Sequence, residues 1–260
     1  MRKVAGDRHR IRARGTWRTL DGTNGLPGPV LKFHQDQQDG TLWMGTWNRG
    51  VATYDGATIR TLRTHGGLAG DSVWAIAEDD IGRKWFGTND GVSCWDGGAF
   101  VPFEVDDELR HIDVDDLHWH DGGVWVVGDR LGVYREGQGL RTVDLEGLPP
   151  TRLMSLAHDR TGALWIGAAR GLVRWQGSGV QRFDEIAGVE VTDIEAILET
   201  RDGRLWVGAA EGLAVLEDGR WRWLPAPQGP GYSSVRSLAE DVDGRVWVAT
   251  MGGVLCWDED

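Results

Sequence analysis

The sequence predicts an all-β protein, a six-bladed β-propeller of four-stranded antiparallel blades, and three observations carry that reading. Six tryptophans, Trp43, Trp85, Trp125, Trp165, Trp206 and Trp247, recur at spacings of 42, 40, 40, 41 and 41 residues. A glycine stands two or three residues ahead of each, as in Gly82-Arg-Lys-Trp85 and Gly244-Arg-Val-Trp247. A Gly-apolar pair follows each, from Gly50-Val51 and Gly91-Val92 to Gly253-Val254. A repeat of this length holding two tight turns accommodates four short strands, which is the size of one propeller blade.

The second unit shows the elements in order. A strand is expected over Ser72 to Glu78, a turn at Asp79 to Gly82, and the Trp-bearing strand over Lys84 to Thr88. Asn89-Asp90 then turns the chain into a third strand, Gly91 to Trp95, and Asp96-Gly97-Gly98 leads into an outer strand, Phe100 to Phe103. Glycine and Asx residues occupy the turns because the backbone there needs conformations that other residues resist. The strands between alternate apolar and polar positions, as half-buried strands do. The six tryptophans are expected to pack between adjacent blades, each burying roughly 150–250 Å².

The ends of the chain complete the pattern. Gly219-Arg-Trp-Arg-Trp-Leu224 is an outer strand, and Gly15-Thr-Trp-Arg-Thr-Leu20 matches it ahead of the first full unit, whereas the sixth unit stops after its third strand at Trp257. The N-terminal strand is therefore expected to close the last blade, leaving no unpaired terminal edge. This divides the chain into a basic tail over 1–14 and a propeller over 15–260.

The formal charge of −12 and the lack of any Lys/Arg stripe exclude the electrostatic footprint of a nucleic-acid binder. The tail alone is basic: Arg2, Lys3, Arg8, Arg10, Arg12 and Arg14 face only Asp7, leaving −17 on the rest. It has no apolar stretch of signal-peptide length, and no run of about 18 apolar residues exists to span a membrane, so the expected location is cytoplasmic. Cys94 and Cys256 occupy equivalent points of blades two apart, too far from one another for a disulfide, and no metal-binding cysteine spacing is present.

An apolar strand, an Asp-x-x-Gly turn, Leu-Trp-Ile-Gly, then Gly-Leu and an aromatic-Asp-Gly resembles the two-component regulator propeller repeat. The pattern is clearest at Asp159-Arg-Thr-Gly-Ala-Leu-Trp-Ile-Gly167 with Gly171-Leu172, and at Asp241-Val-Asp-Gly-Arg-Val-Trp-Val248, and it covers nearly all of residues 15–260. In that family such repeats usually form the extracytoplasmic sensing part of large hybrid histidine kinases. The resemblance implies recognition of a ligand or partner by a rigid ring, without the kinase role. Single repeats also look similar to those of streptogramin lyases, metal-dependent seven-bladed enzymes whose His and Glu constellation has no match here.

Propellers bind at the mouth of the central channel, so the candidate site lies at repeat positions that vary there. Eleven residues before the core Trp stand Lys32, Trp74, Met154, Glu195 and Arg236, with Asp115 in the third unit once its shorter turn is allowed for. Such a mixture is not a core requirement, because charges are rarely buried unpaired. The neighbouring loops add Trp47, Arg49, Asn89, Arg130, Arg170 and Glu211. Exposed tryptophan beside mixed charge suits a protein partner or a polar small molecule, and no motif calls for a cofactor.

The expected function is thus a ligand- or protein-binding module, a sensor or scaffold, monomeric or part of a larger complex. The alternative is a small-molecule lyase or hydrolase at the same mouth, with or without a metal. It rests on Asp115, His118 and His120, because His-x-His on a strand places both rings on one face. His34 and His158 read as isolated blade residues.

Overall fold

A computed structural model describes residues 19–36, 38–177, 179–224 and 234–257. Among the described residues six antiparallel blade sheets follow one another along the chain, five of them four-stranded and the last three-stranded, and a two-stranded hairpin, Glu185–Ile186 with Val189–Glu190, lies between the fourth and fifth. The inner strands are Val30–Gln35, Val73–Glu78, Val114–His120, Leu153–His158, Ala196–Glu199 and Val235–Glu240. Each pairs with the Trp-bearing strand that follows it, and these run Leu42–Thr46, Lys84–Thr88, Gly123–Gly128, Leu164–Ala168, Leu205–Ala209 and Val246–Thr250. The result is a six-bladed β-propeller. In blade two the observed strands match the expected ones, except that the outer strand is only Phe100–Val101. Residues 15–18, the bulk of the strand expected to close blade six, lie outside the described residues.

Five of the six tryptophans pack between adjacent blades as expected; Trp247 joins no inter-blade cluster among the described residues. Trp85 of blade two is fully buried and its ring lies 4.4 Å from Tyr134 of blade three, while Trp165 of blade four meets Trp221 of blade five edge-on at 6.0 Å. The turn ahead of the Trp supplies an acceptor for the indole. Asp79, Asp159 and Asp241 accept the Nε1–H of Trp85, Trp165 and Trp247 at 2.9, 2.8 and 2.9 Å, and Thr200 accepts that of Trp206 at 3.2 Å. The small residue two positions after the Trp lets the next blade approach. A Cβ on Gly87 would come within 2.5 Å of Val114, and one on Gly208 within 2.3 Å of Val235.

Five core clusters bridge blades one and two, two and three, three and four, four and five, and five and six. No such cluster joins blade six to blade one among the described residues. Phe33, on the face where Ile76, Leu117 and Leu156 meet the preceding blade, is 62% exposed. Val254, on the face where Val51, Leu131 and Leu172 meet the next blade, is 64% exposed. Among the described residues this seam lacks the apolar burial that locks the others, worth about 25 cal/mol per Å². Phe33→Ala is therefore expected to cost less than about 1 kcal/mol and Ile76→Ala about 2–5 kcal/mol, measured by urea unfolding. Equal costs would mean that the seam is packed in solution.

Candidate functional site

One end of the ring is assembled by repeated backbone bonds from the turn after the Trp-bearing strand to the residue ahead of an inner strand. Trp47 donates its N–H to Pro29, Asn89 to Ser72, Ala169 to Arg152 and Met251 to Ser234, at 2.9–3.3 Å. The starts of the inner strands and these turns consequently share one rim, and the expected site residues are brought to it.

The inner strands carry a bulge near this rim, between Val73 and Ala75, Leu153 and Ser155, and Val235 and Ser237. Pairing register makes Trp74, Asp115, Met154, Glu195 and Arg236 equivalent, as expected, but the sixth member is Leu31. Lys32 pairs with Gly45 as Ala75 pairs with Gly87 and Ser155 with Gly167, one step further along the strand. The cause is the turn in blade one, which is one residue longer: His34 opposes Trp43, whereas Ala77 opposes Trp85. Lys32 still belongs to the site, because its Nζ reaches past blade two to Asp116 of blade three at 3.8 Å.

Three sets of charges face each other here. Arg152 binds Asp115 through Nε at 2.5 Å and Nη2 at 2.9 Å, and binds Asp113 through Nη2 at 3.0 Å. Burial pushes the Asp115 carboxyl up to about 6, with Asp113 and Asp129 adding to the rise and Arg152 opposing it. Arg236 pairs with Glu195, and Lys32 with Asp116. Around them Trp47 and Trp74 pack edge to face with centroids 5.2 Å apart. Trp47 is half exposed, and the Trp74 indole N–H is buried with no hydrogen-bond partner. Glu211 is absorbed by the scaffold, accepting the N–H and hydroxyl of Thr192 at 3.0 and 2.5 Å. Asn89 is likewise structural, accepting the Ser72 N–H at 2.9 Å. Arg49, Arg130 and Arg170 are exposed and form no ion pair among the described residues. A cleft of about 780 Å³ opens between blades three and four, lined by Asp129, Arg130, Asp144, Glu146 and Arg152 among others.

The structure does not bring Asp115 to His118 and His120. Three residues of strand separate Asp115 from His118, roughly 10 Å at 3.3 Å per residue, and Asp115 is held by Arg152. The two histidines instead meet His158 of blade four. The His120 and His158 rings stack 3.7 Å apart, and one ligand nitrogen from each of the three lies within 4.8 Å of the others, so these are the described residues able to hold a metal. Sequence reasoning missed His158 and Arg152. His158 occupies the ring position of Glu78, Glu199 and Glu240, all of which pair with the preceding blade, through His34, Arg160 and Arg201. That equivalence was the available signal.

Burial, with the His120 and His118 rings beside it, pushes the His158 imidazole down to about 3, and burial lowers His118. The folded protein therefore rejects a proton that the unfolded chain accepts between pH 6.5 and about 3. Stability is full above that window and falls as pH drops through it. In chelator-treated protein we expect a loss of roughly 1–2 kcal/mol after solvent screening of these half-exposed rings. Melting temperatures at pH 7 and pH 4 should differ more for the native sequence than for His158→Asn.

A model of the two-component regulator propeller matches residues 188–211 and 229–252, which lie in blades five and six. Two of the six repeats thus match the two-component regulator propeller. Among solved structures, the chain superposes on the extracellular domain of the putative hybrid two-component system BT3049 from B. thetaiotaomicron, with a TM-score of 0.79 and 22% identity. That match covers 93% of this chain and 34% of the other, so the chain spans about a third of that domain's length. Virginiamycin B lyase from Staphylococcus aureus is similar with a TM-score of 0.69 and 17% identity, over 89% of this chain and 81% of the other. YCF48, solved bound to D1 peptide, is similar with a TM-score of 0.65 and 16% identity, over 90% and 79%. No curated protein matches the sequence. These likenesses establish the propeller fold. Among the described residues no helix is long and apolar enough to cross a membrane. BT3049's matching part is an extracellular domain, and the cytoplasmic expectation for this chain rests on composition alone.

Proposed function

We propose that this propeller is a binding module that recognises a polar ligand, a peptide segment of a protein partner or a small molecule, at the rim where the inner strands begin. The observation that carries this reading is the Trp47–Trp74 pair, with its buried unpartnered indole N–H, on a rim whose Arg49, Arg130 and Arg170 form no ion pair among the described residues. A buried donor without an acceptor costs about 1–3 kcal/mol, and a ligand oxygen placed against it recovers that cost. Half-exposed Trp47 offers a flat apolar surface, and Arg49 and Arg170 offer charge to an acidic group on an otherwise acidic protein. The salt-bridged trio Lys32–Asp116, Arg152–Asp115 and Arg236–Glu195 supports the rim as a preorganised floor. Leu31, Met154 and Arg130 complete its border.

The lyase or hydrolase alternative, motivated by the acidic and histidine residues near Asp115 and His118, would use the same mouth, where Asp115 is bound by Arg152. Tagged native protein and the Trp74→Ala and Arg236→Ala variants, exposed to host extract and analysed by mass spectrometry, test the binding reading. A bound species retained by the native sequence and weakened at least 10-fold in Trp74→Ala is expected. The same species held equally by all three proteins would move recognition away from this rim.

A further inference from the structure

Blade three breaks a rule that four other blades keep, and the break places three imidazoles together. At the residue that begins the turn ahead of the core Trp, blades two, four and six have Asp79, Asp159 and Asp241, and blade five has Thr200; each accepts the indole N–H. Blade three has His120 there. Its hairpin is shortened to Asp121-Gly122, both with positive φ of 45° and 72°, as a two-residue turn between antiparallel strands requires. The Trp125 indole N–H is left buried without a partner. Blade one also leaves its Trp43 indole N–H unpartnered, but it keeps an acid, Asp36, at this position and commits it to Lys84; blade three alone replaces the acceptor with an imidazole, which marks a site where another requirement prevails.

Two further substitutions converge on the same point. His118 lies two residues back on the same face of the strand, where blades two, four and six have Ala77, Ala157 and Ala239. His158 arrives from blade four at the position that holds Glu78, Glu199 and Glu240 elsewhere. Its Nδ1 is buried and has no hydrogen-bond partner. None of the three imidazoles has a hydrogen bond among the described residues that would give it the structural role of its counterparts.

From this we infer that His118, His120 and His158 form a binding site for a divalent transition-metal ion of the zinc class, bridging blades three and four. Imidazole is the preferred donor for such ions, and three histidines leave a fourth position for water or a ligand atom. Ligand nitrogens about 3.3 Å apart are needed for tetrahedral bonds of about 2.0–2.1 Å. The 4.8 Å span closes to this by side-chain rotation, which also unstacks His120 from His158. All three rings are half-buried, so the ion can enter from solvent. The site is at the end of the inner strand opposite Asp115, and is separate from the rim proposed for ligand recognition.

The test is titration of the chelator-treated full chain with Zn²⁺ by calorimetry and with Co²⁺ by visible absorption, for the native sequence, His158→Ala, His120→Thr and His34→Ala. His120→Thr installs the residue that blade five uses to hold its indole, so it is expected to fold and to melt no lower than the native chain. The native sequence and His34→Ala should bind one ion with micromolar or tighter affinity, show Co²⁺ bands of a low-coordinate site, and gain melting temperature with Zn²⁺. His158→Ala and His120→Thr should bind at least 10-fold more weakly and lose the bands. No saturable 1:1 binding by the native sequence at 100-fold excess Zn²⁺, or equal affinity in His120→Thr, would overturn the assignment.

Discussion

Trp85→Ala is expected to destabilise the protein by about 3–5 kcal/mol. The indole is fully buried, packs on Tyr134 and Phe103, and donates to Asp79, which also holds Arg83 at 2.6 Å. Removing it opens a cavity between blades two and three and strips Asp79 of one of its partners. Trp247 makes the same bond to Asp241 but faces the open seam and is only partly buried, so Trp247→Ala should cost less than half as much. Urea midpoints at constant slope measure both. Equal costs would show that blade six is locked as firmly as blade two.

Lys84→Leu is expected to cost about 3–5 kcal/mol, even though Leu or Val occupies the equivalent position in every other blade. The Lys84 side chain is 3% exposed and its ammonium contacts Asp36 at 2.7 Å and Glu78 at 3.4 Å, while donating to the Gly82 carbonyl at 2.8 Å. Glu78 in turn contacts His34 at 2.7 Å. Leucine fits the space, but it leaves two largely buried carboxylates facing each other without a cation, the costly way to break a buried pair. Converting the carboxylates as well, in Lys84→Leu/Asp36→Asn/Glu78→Gln, should recover most of the loss, and a mutant cycle separates the coupling from the single costs. A neutral Lys84→Leu would mean that water reaches the network.

Blades three and one explain why part of the site could not be read along the chain. The ring position of Trp74, Asp115, Met154, Glu195 and Arg236 was legible, because the hairpins between them and the core Trp have countable lengths. Blade one has one extra residue in that hairpin, and counting back from Trp43 therefore lands on Lys32 rather than Leu31. Arg152 precedes its strand and varies freely among the repeats, so nothing local marked it as the partner of Asp113 and Asp115. His158 resembled a blade residue until the packing of blade four on blade three put it against His120.

By itself the sequence determined the blade: a period near 41 residues, the turn residues with positive φ, and one core tryptophan in each repeat, all of them local patterns with one structural solution. It also determined which end of each blade carries variable polar residues. The tertiary structure decided which of those residues meet. Lys32 reaches Asp116 two blades away, Arg236 finds Glu195, and His118 and His120 leave Asp115 for His158. Such pairings depend on the angle between neighbouring blades and on the direction each strand face presents. These are set by packing over some 40 residues of intervening chain, and no spacing within one repeat contains them.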